Sequence, residues 1–216
     1  MIEFQDWGPI EYEKALEKQE QLVEKVAAEK SEGVLVFCTH PPIVTLGRKT
    51  EAGDVFAWQG PIKEISRGGR ATYHGPSQLV IYPIINLDLP TNNRPQRDIG
   101  WYLRTLENAI IDVLKTEGIT AIGKSLQKKS QTDSGTEETG VWVGNQKIAS
   151  LGIGVRKWVT YHGAALNVDE DPQAFQGMKP CGFSTETMVS MEKLLGRKVD
   201  RPKIQNLLKE KLLEKF

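Results

Sequence analysis

Two hydrophobic periodicities run through this 216-residue chain in an irregular order, and that order limits the folds open to it. From residue 11 to 30, apolar side chains fall at Tyr12, Ala15, Leu16, Leu22, Val23, Val26 and Ala27, the spacing of one helix face, and Gly33 follows as a stop signal. From 99 to 117, Tyr102, Leu103, Leu106, Ile110, Val113 and Leu114 form a second such stripe, ended by Gly118. Short apolar runs at 34–39, 43–46, 62–66, 79–87, 141–143, 147–155 and 158–168 read as strands, several of them bounded by Pro or Gly. A GNQ turn joins 141–143 to 147–155 as a hairpin. A short helix at 191–195 and a longer one from 202 onward, with Ile204, Leu207, Leu208 and Leu212 on one side, close the chain. Strands and helices mix without regular βαβ alternation, so the reading is α+β, with one domain over residues 1–216. Pro83 predicts an edge position or a bulge for its strand. The polar run 124–139 reads as a mobile surface loop.

Composition narrows the function classes. Hydrophobic residues at 39% and charged residues at 26% exclude a wholly disordered chain. No stretch approaches the roughly 20 apolar residues of a membrane span. The N-terminal MIEFQDWGPI lacks the basic-then-apolar order of a signal peptide, so we expect a cytoplasmic protein without membrane association. Lys plus Arg equals Asp plus Glu, 28 against 28, which argues against broad nucleic-acid binding. The two cysteines are expected to be free thiols. Cys38, inside VLVFCT, reads as a small buried hydrophobe, whereas Cys181, in KPCGF between Pro180 and Gly182, reads as an accessible loop thiol and a candidate nucleophile.

The densest segment is RGGRATYHGPSQLVIYP, residues 67–83. Adjacent glycines let a backbone turn closely around a ligand, but the spacing is neither a dinucleotide fingerprint nor a Walker A loop. TYHG occurs twice, at 72–75 and 160–163, and these copies carry two of the three histidines; the third is His40. Histidine can shuttle protons, donate to a carbonyl or bind a metal, and a satisfied structural role is the commoner one. No H-x-x-x-H or C-x-x-C spacing supports a metal site. Lys147 follows a hairpin turn, where lysine is ordinarily solvated.

With these residues in view, the chain resembles octanoyltransferase, the lipoyl(octanoyl) transferase family of lipoate biosynthesis. The resemblance rests on HPPIVTLGR, RGGRATYHGPSQLVIYP, TGVWVGNQKIASLGIGVRKWVTYHGAALNV and KPCGF, in the family's order from His40 to Phe183. Ser77 departs from the family pattern TYHGPGQ, and the polar run 124–139 is longer than usual. The resemblance implies an α+β fold shared with biotin- and lipoate-protein ligases. It implies a catalytic pair at Cys181 and Lys147, the ammonium favouring the thiolate. It further implies that the acyl thioester is held by Arg67, Gly68, Gly69, Arg70, Ala71, Thr72, Tyr73 and His74, by Ser150, Leu151 and Gly152, and by His162, Gly163, Ala164 and Ala165.

By the same comparison the octanoyl (or lipoyl) donor is octanoyl-acyl-carrier protein. The acceptors are lipoyl domains of 2-oxoacid dehydrogenase complexes and the glycine cleavage H protein. No cofactor, metal or ATP is expected. An ATP-dependent lipoate-protein ligase of the same fold and a non-catalytic lipoyl-domain-binding protein are the alternative readings. Because the expected protein partners are acidic and the net charge is zero, Arg48, Lys49, Arg67, Arg70, Arg156 and Lys157 are expected to form a basic rim around the pocket entrance.

Overall fold

The structure is a computed structural model and describes residues 1–91, 94–125 and 138–216. Most of the polar run expected as a loop at 124–139 therefore lies outside the described residues. Strands are β1 (Glu3–Pro9), β2 (Gly33–Thr39), β3 (Ile43–Leu46), β4 (Ile62–Glu64), β5 (Thr72–His74), β6 (Gln78–Ile85), β7 (Ile122–Gly123), β8 (Gly140–Val143), β9 (Gln146–Arg156) and β10 (Val159–Asn167). Helices are α1 (Tyr12–Glu29), α2 (Ile99–Thr116), α3 (Met191–Leu195) and α4 (Arg201–Lys215). Among the described residues, a seven-stranded sheet has the order β1-β2-β6-β10-β9-β8-β7 and a three-stranded sheet the order β4-β3-β5. The pairs β1–β2 and β3–β4 are parallel and the others antiparallel, so the sheet is mixed and the fold is α+β. No helix among the described residues is long and apolar enough to cross a membrane.

Alternation along the central strands assigns the two faces. Leu79 and Ile81 of β6 and Leu35 and Phe37 of β2 pack with Tyr102, Leu106 and Ile110 of α2 and Ile204 and Leu208 of α4. Val80 and Tyr82 of β6 and Val34 and Val36 of β2 face the other way, onto Ala15, Val23 and Val26 of α1. The small sheet has its own core of Val44, Ala71, Tyr73, Phe175, Met178 and Met188. It stands beside α1, leaving a recess over the α1 side of the large sheet.

Pro83 corrects one expectation, because β6 is a central strand rather than an edge. β6 pairs with β10 from Gln78 to Ile81, and the ladder lapses at Pro83, whose ring lies against Gly163. Thr160 bridges the gap, its Oγ1 donating to Pro83 O at 2.7 Å and accepting from Ile85 N at 2.9 Å. The Asn86–Val159 bridge continues the same register, so the interruption is not a bulge.

Strand β1 carries no apolar run; its pairing with β2 makes it a strand, a tertiary effect that outweighs local propensity.

Glu107 of α2, 3% exposed, holds both ends of the segment that links β7 to β8. Its carboxylate accepts from Ser125 N at 2.9 Å, Ser125 Oγ at 2.6 Å, and Lys124 N and Gly140 N at 3.2 Å each. Burial nevertheless pushes this carboxyl above the usual range. We expect Glu107→Ala to destabilise the protein by about 2–4 kcal/mol through donors left without an acceptor, and Glu107→Gln by distinctly less, as read from urea midpoints.

Candidate active site

The recess between the two sheets is a narrow pocket. Val80 and Tyr82 of β6, Ser150 to Gly152 of β9 and His162 to Ala165 of β10 line it on the large-sheet side. Tyr12 of α1, Thr72 and His74 of β5, Arg67, Gly69, Arg70 and Cys181 line the opposite side. Antiparallel pairing places Ser150 opposite Ala165 and Gly152 opposite Gly163, so the distant SLG and HGAA segments become neighbours. Thirteen of the seventeen residues expected at the site meet in this pocket; Gly68, Ala71, Tyr73 and Lys147 do not line it.

The double-glycine turn is locked to its surroundings. Gly68 N donates to Ile153 O at 3.0 Å, and Gly69, with φ 83, receives Lys49 N on its carbonyl at 3.1 Å. A Cβ on Gly47 would stand 2.3 Å from Gly69 O, so only glycine permits that approach. Arg67 is 6% exposed and turns inward, donating from Nη2 to Thr45 O and Thr45 Oγ1 at 3.0 Å each. Arg70 pairs with buried Asp54, Nε to Oδ2 at 3.0 Å and Nη2 to Oδ1, and with Glu51 at 2.9 Å. Asp54 was not among the expected site residues, since a lone aspartate in an irregular connection gives no local signal.

Cys181 occupies a one-turn 3₁₀ segment, Pro180–Gly182, with φ 55 and ψ 21. That left-handed conformation strains a residue with a side chain, of order 1–3 kcal/mol. It is held by Cys181 N donating to Ala71 O at 2.8 Å, Gly182 N to Lys179 O at 3.0 Å and Phe183 N to Pro180 O at 2.9 Å. Those three amides are therefore engaged inside the fold. Ala71, absent from the pocket wall, acts here through its carbonyl. The thiol is not the exposed group expected of a loop: Cys181 is 5% exposed and lines the pocket. Ser150 Oγ lies 3.8 Å from its sulfur.

Lys147 likewise departs from expectation, being fully buried rather than solvated. Val141 opposes Ala149 and Trp142 opposes Lys147, so Ile148 is an extra residue in β9. The irregularity sends Ile148 into the α2-side core and Lys147 towards the cysteine turn. Its Nζ is 5.6 Å from the Trp142 ring centre and 5.9 Å from that of Phe183, and these rings meet edge to face at 5.3 Å. Phe183 stands two residues beyond Cys181.

His74 and His162 line the recess, and His40 packs against His74 with ring centres 5.9 Å apart. His40 bonds Ile10 O through Nδ1 and Tyr82 OH through Nε2, both at 2.7 Å. Tyr12 stacks on His74 at 5.7 Å and meets His40 at 5.1 Å. His162, with φ 59, takes its main-chain N–H out of regular strand geometry to Gln19 Oε1 at 2.7 Å. Gln19 is a fully buried amide on the α1 stripe, at a position where the helical spacing calls for an apolar residue. Burial lowers the His40 pKa to about 4 and that of His162 to about 3, with Arg67 adding to the latter, and holds His74 well below the usual range. The rings are thus neutral donors and acceptors. Cys38 is buried with its thiol pushed up by desolvation, consistent with a packing role.

The expected basic rim does not form as a group. Arg67 and Arg70 point inside, and Arg156 and Lys157 pair with Glu24 of α1 at 3.3 and 2.6 Å. Ser77 does not line the pocket; its hydroxyl donates to Asp171 Oδ2 at 3.3 Å. Among the described residues, no His, Cys, Asp and Glu side chains group in a way that could hold a metal ion.

Comparison with known proteins converges on one family. The pattern of the lipoyl protein ligase A/B catalytic domain matches residues 11–213. An octanoyltransferase of Bdellovibrio bacteriovorus is 58% identical over 98% of this chain and 97% of its own length. One from Geobacter metallireducens is 40% identical over 90% of this chain and 84% of its own. The bipartite lipoate protein ligase of Thermoplasma acidophilum, from a structural study that includes its E2 lipoyl domain, superposes with TM-score 0.67 at 18% identity, covering all of this chain and 84% of that one. The biotin protein ligase of Aquifex aeolicus gives TM-score 0.57 at 11% identity, over 99% of this chain and 69% of that one. At these identities the structural likeness speaks for the fold.

The neutral histidines carry a pH consequence. In the unfolded chain they protonate as pH falls through about 6.5, while in the fold they resist, so stability is full above that value and is lost on acidification towards pH 4 and 3. We expect unfolding at pH 5.5 to take up about one proton per histidine, and His162→Asn, which tolerates the left-handed backbone, to remove about one of them. Urea midpoints measured from pH 7 to 4.5 give the count; a flat profile would contradict the burial argument.

Proposed function

The chain belongs to the lipoyl protein ligase A/B catalytic domain family, and within it we propose an octanoyltransferase that acts through an acyl-enzyme on Cys181. The two sequence relatives named above are octanoyltransferases, and the placement of the cysteine carries the chemistry: a strained, pocket-facing thiol on a turn whose next aromatic, Phe183, lies beside the side-chain nitrogen of Lys147.

In this reading the octanoyl thioester of an acyl-carrier protein enters with its carbonyl at Cys181. Lys147 takes the thiol proton and the sulfur attacks. The new carbon–sulfur bond forms as the bond to the carrier thiol breaks, and Lys147 returns the proton to that leaving thiolate. The acceptor is a lysine amine of a lipoyl domain, in a 2-oxoacid dehydrogenase subunit or the glycine cleavage H protein. It attacks the octanoyl-cysteine carbonyl, the carbon–nitrogen bond replaces the bond to Cys181, and Lys147 carries the amine proton to the departing sulfur. Ser150 Oγ, 3.8 Å from the thiol, is placed to donate to the developing oxyanion, a role closed to the engaged amides of residues 181–183. An amide lies below a thioester in free energy, so the exchange runs without ATP. Thioester donors and lipoyl-domain acceptors would meet this enzyme in the cytoplasm.

Arg67 to Arg70 shape the wall, in this reading, and the Arg70–Asp54 pair positions the cysteine turn. Gly182, with φ 84, leaves room for the Arg70 guanidinium, whose nearest atom would lie 2.9 Å from a Cβ there.

Two variants test the assignment by intact mass and transfer assay. Cys181→Ser should lose both the thioester-labile octanoyl adduct and the transfer, whereas Cys38→Ser should keep both; an adduct that persists on Cys181→Ser protein sinks the proposal. Lys147→Met should slow transfer by about 100-fold or more and slow alkylation of Cys181 at neutral pH. An alkylation rate that does not change would remove Lys147 from the proton path.

A further inference from the structure

The inner end of the pocket is polar although the rest of its wall is largely apolar or small. From Cys181, the paired residues of β9 and β10 run Ser150–Ala165, Leu151–Ala164, Gly152–Gly163 and Ile153–His162. Three steps along a strand at about 3.4 Å each put His162 about 10 Å beyond the pair beside the thiol. There the character of the wall changes. His162 is 2% exposed, and neither Nδ1 nor Nε2 has a hydrogen-bond partner in the protein. His74 Nδ1 and Gln19 Nε2 are also unpartnered, and Tyr12 and Tyr82 complete the enclosure.

An acyl chain attached to Cys181 and lying along this groove meets that end at a defined length. Eight carbons in an extended zigzag, with bonds of about 1.5 Å, span about 9 Å. The methyl terminus therefore stops just short of His162. We propose that His162, with His74 and Gln19 behind it, is the specificity-determining end wall of the acyl pocket, admitting an eight-carbon chain and rejecting longer alkyl chains. This rests on the octanoyl-transfer reading and deepens it.

The selection is chemical as well as steric. The neutral imidazole of His162 offers one N–H and one lone pair, and an added methylene would press against both without satisfying either. Its backbone is fixed by the bond to Gln19 and the left-handed turn, and at 2% exposure the ring is closely packed on all sides. A hydroxyl at the end of the chain would instead find a partner there. A purely steric wall would reject a terminal hydroxyl and a longer alkyl chain alike.

The experiment compares kcat/KM for hexanoyl, octanoyl, decanoyl and 8-hydroxyoctanoyl pantetheine thioesters with an apo lipoyl domain as acceptor, scoring the amide by intact mass. Wild type should use decanoyl at least about ten-fold less well than octanoyl, and 8-hydroxyoctanoyl within about three-fold of octanoyl. His162→Leu should raise the decanoyl-to-octanoyl ratio by about ten-fold and penalise the hydroxylated chain. Equal use of decanoyl and octanoyl by wild type, or a ratio that His162→Leu leaves unmoved, overturns the proposal. If His162→Leu does not fold, competition in wild type between 8-hydroxyoctanoyl and nonanoyl, the alkyl chain of equal heavy-atom length, decides: preference for the hydroxylated chain supports the polar wall, and equal use overturns it. Transfer from none of the four donors would instead overturn the octanoyl-transfer reading, and this proposal with it.

Discussion

The pocket depends on one buried ion pair. Asp54 is 1% exposed, and its carboxylate takes the Arg70 guanidinium while also accepting Glu51 N at 3.0 Å. Its main-chain carbonyl accepts Lys179 N at 2.7 Å, two residues before Cys181. Through Arg70 the same pair reaches Ala71, whose carbonyl receives Cys181 N. Three segments distant in sequence are thereby drawn to one point. Such a pair adds little net stability, because both charges lose water, but removing one partner leaves a buried charge and costs about 3–5 kcal/mol. Its use here is positional, since it fixes where the cysteine turn sits relative to the sheet.

That fixation explains how the turn can hold a conformation that a cysteine alone would avoid. Cys181 and Gly182 both have positive φ, and the strain at Cys181 is offset by hydrogen bonds on each side of it. The pattern repeats across the pocket, where His162 is held left-handed by Gln19. In both places the chain leaves regular geometry at a residue whose side chain enters the pocket, and a polar group from elsewhere in the fold receives the freed main-chain N–H.

The histidines show the electrostatic side of the same design. Buried against one another and near Arg67, they avoid charge, as their depressed pKa values record. A neutral polar floor suits an uncharged acyl chain that must be measured rather than attracted. In the proposed mechanism, acid–base work falls instead to Lys147, which lies beside Trp142 and Phe183.

Much of the framework was legible in the chain. The 3.6-residue stripes located α1 and α2 within a residue or two, the bounds of β3 and α3 were read directly, and the GNQ turn marked the β8–β9 hairpin. These features are local, so a sequence carries them. The RGG and TYHG segments drew attention as composition, and the family resemblance supplied Cys181 and Lys147 by position. Only the tertiary structure decided the rest. Lys147 reads as a solvated residue after a turn until an extra residue in β9 turns it inward. Gln19 reads as a polar interruption of an apolar stripe until His162 needs its oxygen. Asp54, in an irregular stretch, gives no signal until Arg70 lies against it, and the short strands β1 and β5 exist because neighbours pair with them. Periodicity is set by residues a few positions apart, whereas burial, pairing and strain are set by contacts that only folding brings together.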